Sequence, residues 1–244
     1  MTAELTKKIK QHLKSRQQEI RAKCCGKLDS GCAACSIEFE LYMKMAQAQV
    51  PVKFWDIEID TIGNKETREV IEKYIKNLNT MYRDGWGLYL TGSNGIGKTM
   101  IAGLVLKEAI RKGHSALFTS LSEVISIYSN TTYSREDRKS LYTDKILGTD
   151  FLVLDDIDKT YHSANSNWVD AICDDVFRQR ANRSLPVIVT ANKTKKTLLD
   201  QDNFAFGTDL LSLFAETVYE VHVRGKDRRN SVLQKRMGEF FNGF

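Results

Sequence analysis

Residues 92–99 read GSNGIGKT, and this segment restricts the fold more than any other part of the chain. It matches the pattern G-x-x-x-x-G-K-[ST], and it lies between the apolar run 86–91 and a helical pattern that starts at Lys98. A glycine-rich turn in this position directs backbone N–H groups and the positive end of a helix towards a phosphate. We therefore predict a phosphate-binding loop that holds ATP and Mg²⁺.

The roles within this loop follow from the residue types. The ammonium group of Lys98 would reach the β- and γ-phosphate oxygens, and the hydroxyl of Thr99 would ligate Mg²⁺. A glycine-rich turn without a ligand is the alternative, but it leaves the adjoining strand, the helix and the Lys-Thr pair unexplained. The predicted nucleotide-binding residues of the loop are Gly92, Ser93, Asn94, Gly95, Ile96, Gly97, Lys98, Thr99 and Met100.

Apolar runs that alternate with amphipathic helical patterns indicate the fold class. Strands that are apolar throughout are typical of a parallel sheet that is covered on both faces. We therefore expect an α/β fold of the P-loop NTPase type, with a five-stranded parallel sheet flanked by helices. The predicted strands are 86–91, 116–120, 151–155, 187–191 and 218–223. The predicted helices that follow the first fifty residues are 65–83, 98–112, 121–129, 137–147, 167–181, 194–200 and 208–215.

Two acidic residues end the third apolar run. Asp155 and Asp156 follow four apolar residues in the segment FLVLDDID, and the carboxyl ends of parallel strands meet at one edge of the sheet. We expect Asp155 to hold the water shell of Mg²⁺, and Asp156 to orient or deprotonate the attacking water. The alternative is that Asp156 only caps the following turn. Asp158 is expected to be a surface residue.

The fourth apolar run, VIVTA, leads into Asn192. A polar side chain at the tip of a strand next to the phosphate-loop strand could contact the γ-phosphate or the attacking water. An asparagine that closes a strand is usually a turn residue or a helix cap. The two nucleotide motifs upstream favour the catalytic role for Asn192.

The first fifty residues have a different pattern. Apolar residues with helical spacing predict amphipathic helices at 4–23 and 36–49, and Pro51 stops the second. The aromatic connector that follows is expected to dock on the next domain. We place the boundary near Val50, so that 1–50 form a helical, partner-binding module and 51–244 form the ATPase domain.

Four of the five cysteines lie between the two N-terminal helices, as C-C-x6-C-x2-C. Because a reducing compartment disfavours disulfides, Cys24, Cys25, Cys32 and Cys35 predict a zinc site. Adjacent cysteines do not both ligate one ion easily, so His12 is a conceivable fourth ligand. The alternative is that some of these cysteines are small buried apolar residues.

The composition sets further bounds. With 244 residues, 42% hydrophobic and 27% charged, the chain can bury one good core plus a small appendage. No apolar run is long enough to span a bilayer, which predicts a soluble, cytoplasmic protein without a membrane partner. The net charge of +5 is concentrated at the two ends of the chain. This suits nucleic acid or an acidic partner, although an ordinary solvated surface explains it equally well.

The order of these motifs resembles the AAA+ ATPases of the bacterial helicase-loader group (DnaC and DnaI) and the IstB-type transposition helpers. The resemblance covers roughly residues 52–230. It rests on four segments, of which the last two are the more particular: GSNGIGKT, LVLDDID, RQRANRSLPVIVTANKT and EVHVRGKDRR. It implies an AAA+ type of P-loop fold, and it places Asn192 at the sensor position of that class.

The resemblance also implies roles for arginines. Arg229 would match the arginine of the closing segment that senses nucleotide in the same subunit, and Arg228 could take that part. The group is expected to carry an arginine finger on a short helix before the last strand, yet that helix here, FGTDLLSLFAET, has none. Hydrolysis by a conventional finger is therefore in doubt. The candidates that could substitute are Arg178, Arg180 and Arg183.

Three functions follow as hypotheses. The first is a helicase loader whose N-terminal module binds a replicative ring helicase, whose AAA+ domains self-associate, and whose basic residues hold single-stranded DNA. The second is a transposition helper that assembles on duplex DNA. The third is a small-molecule kinase, which is disfavoured because the polar loop 129–139 lacks an arginine-rich lid.

Overall fold

The computed structural model describes residues 3–24, 32–129, 140–160, 166–198 and 216–225, together with three single positions. Those positions are residues 213, 227 and 237. Most of the predicted helix 208–215 therefore lies outside the described residues, as do Arg228 and Arg229.

Helices and strands alternate from the third helix onwards, as predicted. The helices are α1 (Ala3–Cys24), α2 (Ala33–Gln47), α3 (Lys65–Lys76), α4 (Leu78–Arg83), α5 (Lys98–Arg111), α6 (Leu121–Ser129), α7 (Ile157–Thr160), α8 (Ser166–Asn182) and α9 (Lys195–Leu198). The strands are β1 (Gly87–Thr91), β2 (Ala116–Ser120), β3 (Phe151–Asp155), β4 (Val187–Ala191) and β5 (Val218–His222). Short 3₁₀ turns lie at Val52–Phe54 and Ile59–Thr61, and a π-helical turn lies at Leu141–Ile146.

The five strands form one parallel sheet in the order β2-β3-β4-β1-β5, which confirms the predicted fold class. Strand β1 lies between β4 and β5, and its last residue Thr91 is in register with Ala191 and His222. Because all strands run in the same direction, their carboxyl ends share one edge. The segments that follow β1, β3 and β4 therefore meet there.

Two apolar layers enclose the sheet. Leu88 and Leu90 of β1 belong to the core under α3 and α5, whereas Tyr89 between them belongs to the core under α6 and α8. This alternation follows from the two-residue period of a strand. All five β1 residues are buried, as expected for a central strand of a doubly covered sheet.

The predicted helix 65–83 is two helices, because the chain leaves helical geometry at Asn77. The backbone of Asn77 has φ −101° and ψ 21°, and its side-chain amide donates to the carbonyl of Lys73 at 2.8 Å. Such a local side-chain bond competes with the helical ladder. At the other end of α3, the side chain of Asn64 accepts a hydrogen bond from the N–H of Thr67, which is the usual role of an asparagine at an N-cap.

The N-terminal helices pack directly on the rest of the protein. Leu13 of α1 and Met45 of α2 belong to the same apolar core as α5, and Phe118 of β2 donates its N–H to the carbonyl of Ala48 at 2.7 Å. Trp55 of the connector is 1% exposed and donates to the carbonyl of Val50. Phe54 of the connector lies against Gly103 of α5, as predicted, whereas Trp55 packs against His12 and Tyr42 of the N-terminal helices. The division into 1–50 and 51–244 stays a prediction.

Among the residues that the structure describes, no helix has the length and apolar character needed to cross a membrane.

Candidate functional site

The phosphate loop connects β1 to α5, and its backbone requires glycine at positions 92 and 95. Gly92 has φ +138°, and a Cβ there would lie 2.6 Å from the carbonyl oxygen of Val223. Gly95 has φ +78°, and a Cβ there would overlap the carboxylate of Asp227. A side chain at either position would both strain the backbone and collide with the segment that follows β5.

Lys98 begins α5 and folds back over the loop. It is 6% exposed, and its Nζ donates to the carbonyls of Gly92 and Ser93 at 2.8 Å each. It also donates to the side-chain oxygen of Asn192 at 3.0 Å. The structure thus joins two residues that are far apart in the sequence and that were predicted to act at the same phosphate. Thr99, the next residue, is half-buried.

A threonine of β4 binds both acidic residues at the end of β3. The Oγ1 of Thr190 donates to Oδ1 of Asp155 at 2.6 Å and accepts the N–H of Asp156 at 2.9 Å. Thr190 is fully buried, and Asp156 has a left-handed backbone with φ +53°. This conformation is uncommon outside glycine, although Asp and Asn tolerate it. The hydroxyl therefore fixes the direction of the Asp155 carboxylate and the turn at Asp156.

A third carboxylate holds the tip of β4. Oδ2 of Asp158 accepts the N–H of Asn192 at 2.8 Å, and Asp158 is only 6% exposed. The expectation that Asp158 is a surface residue is therefore wrong, because α7 turns its side chain towards β4. The nearby Tyr89 is buried, and this burial raises its pKa, with Asp158 and Glu220 adding to the rise. Its neutral phenol donates to the carbonyl of Lys193.

A cavity of about 500 Å³ opens beside the phosphate loop. Its lining combines apolar side chains from the loop, α5 and the segments around it with a few polar groups. The lining residues include Ile62, Asn64, Ile96, Met100, Val223 and Asp227. Its size and mixed lining suit a flat aromatic ring system with polar edges.

The arginines proposed as substitutes for a finger differ in accessibility. Arg180 is fully buried and donates to the carbonyls of Ile146, Asp150 and Pro186. Burial lowers its pKa to about 9, so it remains charged near neutral pH. The suggestion that Arg180 reaches a neighbouring subunit is wrong, because its guanidinium ties α8 to the segments that precede β3 and β4. Arg178 is exposed and pairs with Asp174 at 2.7 Å.

Only part of the predicted zinc site is described. Cys35 is buried and its Sγ lies 4.0 Å from the carbonyl oxygen of Ile20, while Cys32 is half-buried. The ring of His12 packs edge-on against Trp55, with ring centroids 5.3 Å apart. Within the described ranges, no three His, Cys, Asp or Glu side chains form a metal-binding group. The side chain of Cys24 and all of Cys25 lie outside those ranges, so zinc stays a prediction.

The comparison with protein families gives a match that extends through the phosphate loop, β3 and β4. The model of the family described as IstB-like ATP binding protein matches residues 36–225, which is more than half of the chain. The chain belongs to this family. The predicted resemblance is confirmed, and the sequence reasoning that placed the chain among ATP-binding AAA+ relatives was right.

One curated relative of this IstB-like protein is the replicative helicase loader DnaI of Bacillus subtilis (strain 168). The two are 24% identical over 151 residues, which are 62% of this chain and 47% of the relative. The IstB-like protein therefore aligns with about half of the length of that relative.

Solved structures share the fold of the IstB-like protein. The crystal structure of DnaI matches with a TM-score of 0.59 at 21% identity. The match covers 73% of this chain and 94% of the DnaI chain. The crystal structure of the DnaC helicase loader matches with a TM-score of 0.58 at 24% identity. The match covers 71% of this chain and 100% of the DnaC chain. These likenesses establish the AAA+ type of P-loop fold.

Sequence reasoning missed Thr190 and misjudged Asp158. The contact of Thr190 with Asp156 and that of Asp158 with Asn192 each join residues 34 positions apart. Neighbouring strands bring these residues together. The signal that could have found Thr190 is a hydroxyl residue within a strand that is otherwise apolar, VIVTA. A buried hydroxyl in such a position needs a partner, and the acidic end of an adjacent strand supplies one.

Proposed function

We propose that this IstB-like protein is an ATPase that loads a replicative ring helicase. The observation that supports the ATPase part of the proposal is the hydrogen bond of Lys98 to Asn192, because it joins the phosphate loop to the tip of β4, the strand whose Thr190 binds Asp155. The similarity to a replicative helicase loader supports the choice of client. ATP-dependent self-association and the holding of single-stranded DNA are parts of the same proposal.

The residues present suit a magnesium-bound triphosphate. Lys98 would bind the β- and γ-phosphates, and the Thr99 hydroxyl with the Asp155 carboxylate supplies the oxygen ligands that Mg²⁺ prefers. When bound, Mg²⁺ neutralises the charge that develops on the transferred phosphoryl group. Asp156 would orient or deprotonate the attacking water. The adenine ring of ATP would occupy the cavity beside Ile96.

The position of Asp227 supports a role for the closing segment. Its carboxylate lies against Gly95, so the segment after β5 reaches the phosphate loop two residues before Arg229. We propose that Arg229 senses the bound nucleotide from within the same subunit, with Arg228 as the alternative.

Two variants test the ATPase proposal. Lys98→Ala should abolish ATP binding, because the buried ammonium group is the principal cation at the loop. Asp156→Asn should retain binding and lose turnover, since asparagine tolerates the left-handed backbone but is a poor base. Equilibrium titration with a fluorescent nucleotide and a phosphate-release assay measure the two effects. Unchanged turnover in Asp156→Asn contradicts the role of Asp156.

A second function is favoured by the family match. The IstB-like family description allows a transposition helper that assembles on duplex DNA and recruits a transposase. The experiment that separates the two mixes the wild-type protein and Lys98→Ala with candidate ring helicases, with and without ATP. ATP-dependent complexes of increased size, seen by size-exclusion chromatography with light scattering, support the loader. Preference for duplex over single-stranded DNA without a helicase complex supports the transposition helper. Transfer of phosphate to an added nucleoside instead of water would indicate the kinase.

Zinc at the N-terminal cysteines is a separate proposal. About one equivalent of zinc per chain, which Cys32→Ser removes, is expected from elemental analysis of protein purified without added metal. A metal-free wild-type protein with an intact fold would leave the packing role of Cys35 as the explanation of the cluster.

A further inference from the structure

Asp158 lies in the first turn of α7, two residues after Asp156, and makes one strong contact. Its Oδ2 accepts the backbone N–H of Asn192 at 2.8 Å. A carboxylate that accepts a backbone N–H forms a charge-assisted hydrogen bond, which is stronger than a bond between neutral groups. This bond therefore ties the element that follows β3 to the tip of β4.

The contact continues to the phosphate loop. Asn192 is held through its backbone by Asp158, while its side-chain oxygen accepts from Nζ of Lys98 at 3.0 Å. The three residues form one chain of hydrogen bonds from α7 through β4 to the loop. A displacement of Asn192 would thus change the distance between its amide and the ammonium group of Lys98.

The second oxygen of Asp158 has no partner among the described residues. Oδ1 is buried and makes no hydrogen bond within the part of the chain that the structure describes. Leaving an oxygen of a buried carboxylate unsatisfied costs stability. A residue that lowers stability beside reactive groups is typical of a functional site.

We propose that Asp158 is a positioning residue for ATP hydrolysis, which holds the Asn192 side chain against Lys98 at the γ-phosphate side of the site. The proposal rests on the ATPase function proposed above. Asp158 acts through Asn192 and does not touch the nucleotide. Its loss should therefore affect turnover more than binding.

The test compares Asp158→Ala with Asp158→Asn. Alanine removes the acceptor, so we expect kcat to fall about tenfold, the lower end of the usual effect of a residue that orients a functional group. The Kd for ATP should stay within about threefold of wild type, since every group on the loop is retained. Asparagine keeps an acceptor oxygen and should keep kcat within about threefold of wild type. Asp174→Ala, which removes an exposed carboxylate that pairs with Arg178 on α8, is the matched control.

A readout that does not depend on turnover accompanies the kinetics. Amide hydrogen exchange of the segment 187–194 should be faster in Asp158→Ala, because the N–H of Asn192 loses its acceptor, and it should be restored in Asp158→Asn. Unchanged exchange, unchanged kcat, or a Kd that rises as much as kcat falls would each overturn the proposal. A wild-type protein that binds ATP without hydrolysing it would instead overturn the proposed ATPase, and together with it the role of Asp158 in hydrolysis.

Discussion

Replacing Thr190 by valine removes one hydroxyl and almost nothing else. The two side chains have nearly the same shape, and Thr190 is fully buried. The change therefore isolates two hydrogen bonds, one donated to the Asp155 carboxylate at 2.6 Å and one accepted from the N–H of Asp156 at 2.9 Å. Both groups would be left at the end of β3 without this partner.

The expected loss follows from the two bonds. A hydrogen bond to a charged group contributes about 1.5–3 kcal/mol, and one between neutral groups contributes about 0.5–1.5 kcal/mol. Thr190→Val should therefore lower the free energy of unfolding by about 2–4.5 kcal/mol. Because Asp155 loses the bond that fixes its direction, ATP turnover should fall by about tenfold or more.

Thr190→Ser is the control, since it keeps the hydroxyl and removes one buried methyl group at a cost of about 1 kcal/mol. Urea unfolding followed by circular dichroism measures stability, and phosphate release measures turnover. If Thr190→Val is as stable as Thr190→Ser, or hydrolyses ATP at the wild-type rate, the hydroxyl does not organise the acidic pair.

Three further predictions concern other contacts. Arg180→Ala removes the guanidinium that donates to three backbone carbonyls, of which Pro186 keeps the N–H of Leu152. Chemical denaturation should show a loss of about 3–5 kcal/mol in the free energy of unfolding, against less than about 1 kcal/mol for the exposed Arg178→Ala. Equal losses would refute the structural role. Burial, together with a neighbouring carboxylate, raises the pKa of Tyr42 to about 12. Its protonated phenol therefore stabilises the fold below pH 10 and loses that effect as the pH rises through 12. Tyr42→Phe should reduce the pH dependence of the free energy of unfolding between pH 10 and 12. An unchanged pH dependence in this variant would contradict the role of Tyr42. Gly95→Ala strains the loop and meets Asp227, so nucleotide titration should show binding at least about tenfold weaker.

Much of the sheet was predictable because its strands are apolar on both faces. The strands 116–120, 151–155 and 187–191 have the predicted bounds, since each apolar run is bordered by polar or turn-forming residues. The phosphate loop was predictable for a similar reason, because its glycines and Lys98 are adjacent in the chain and their function depends on local geometry.

The contacts between distant segments were not predictable in the same way. Which acidic residue meets Thr190 or Asn192 depends on β4 lying between β3 and β1, and strand order is not encoded in any single segment. The three carbonyls bound by Arg180 come from two connections, one before β3 and one before β4. The sequence of the helix that carries Arg180 therefore gave no sign that this arginine would be buried. The break at Asn77 was missed because helical periodicity continues on both sides of it.

Helix α5 starts at the phosphate loop and runs along the N-terminal helices. It is about 21 Å long at 1.5 Å per residue, and its Gly103 faces Phe54 of the connector so closely that a Cβ would lie 3.2 Å from that ring. Because a helix is stiff along its axis, a shift of α5 at Lys98 would also displace the surface of α5 against which α2 packs. A partner that bound the N-terminal helices would therefore contact elements packed against the same helix whose first residue, Lys98, lies at the phosphate loop.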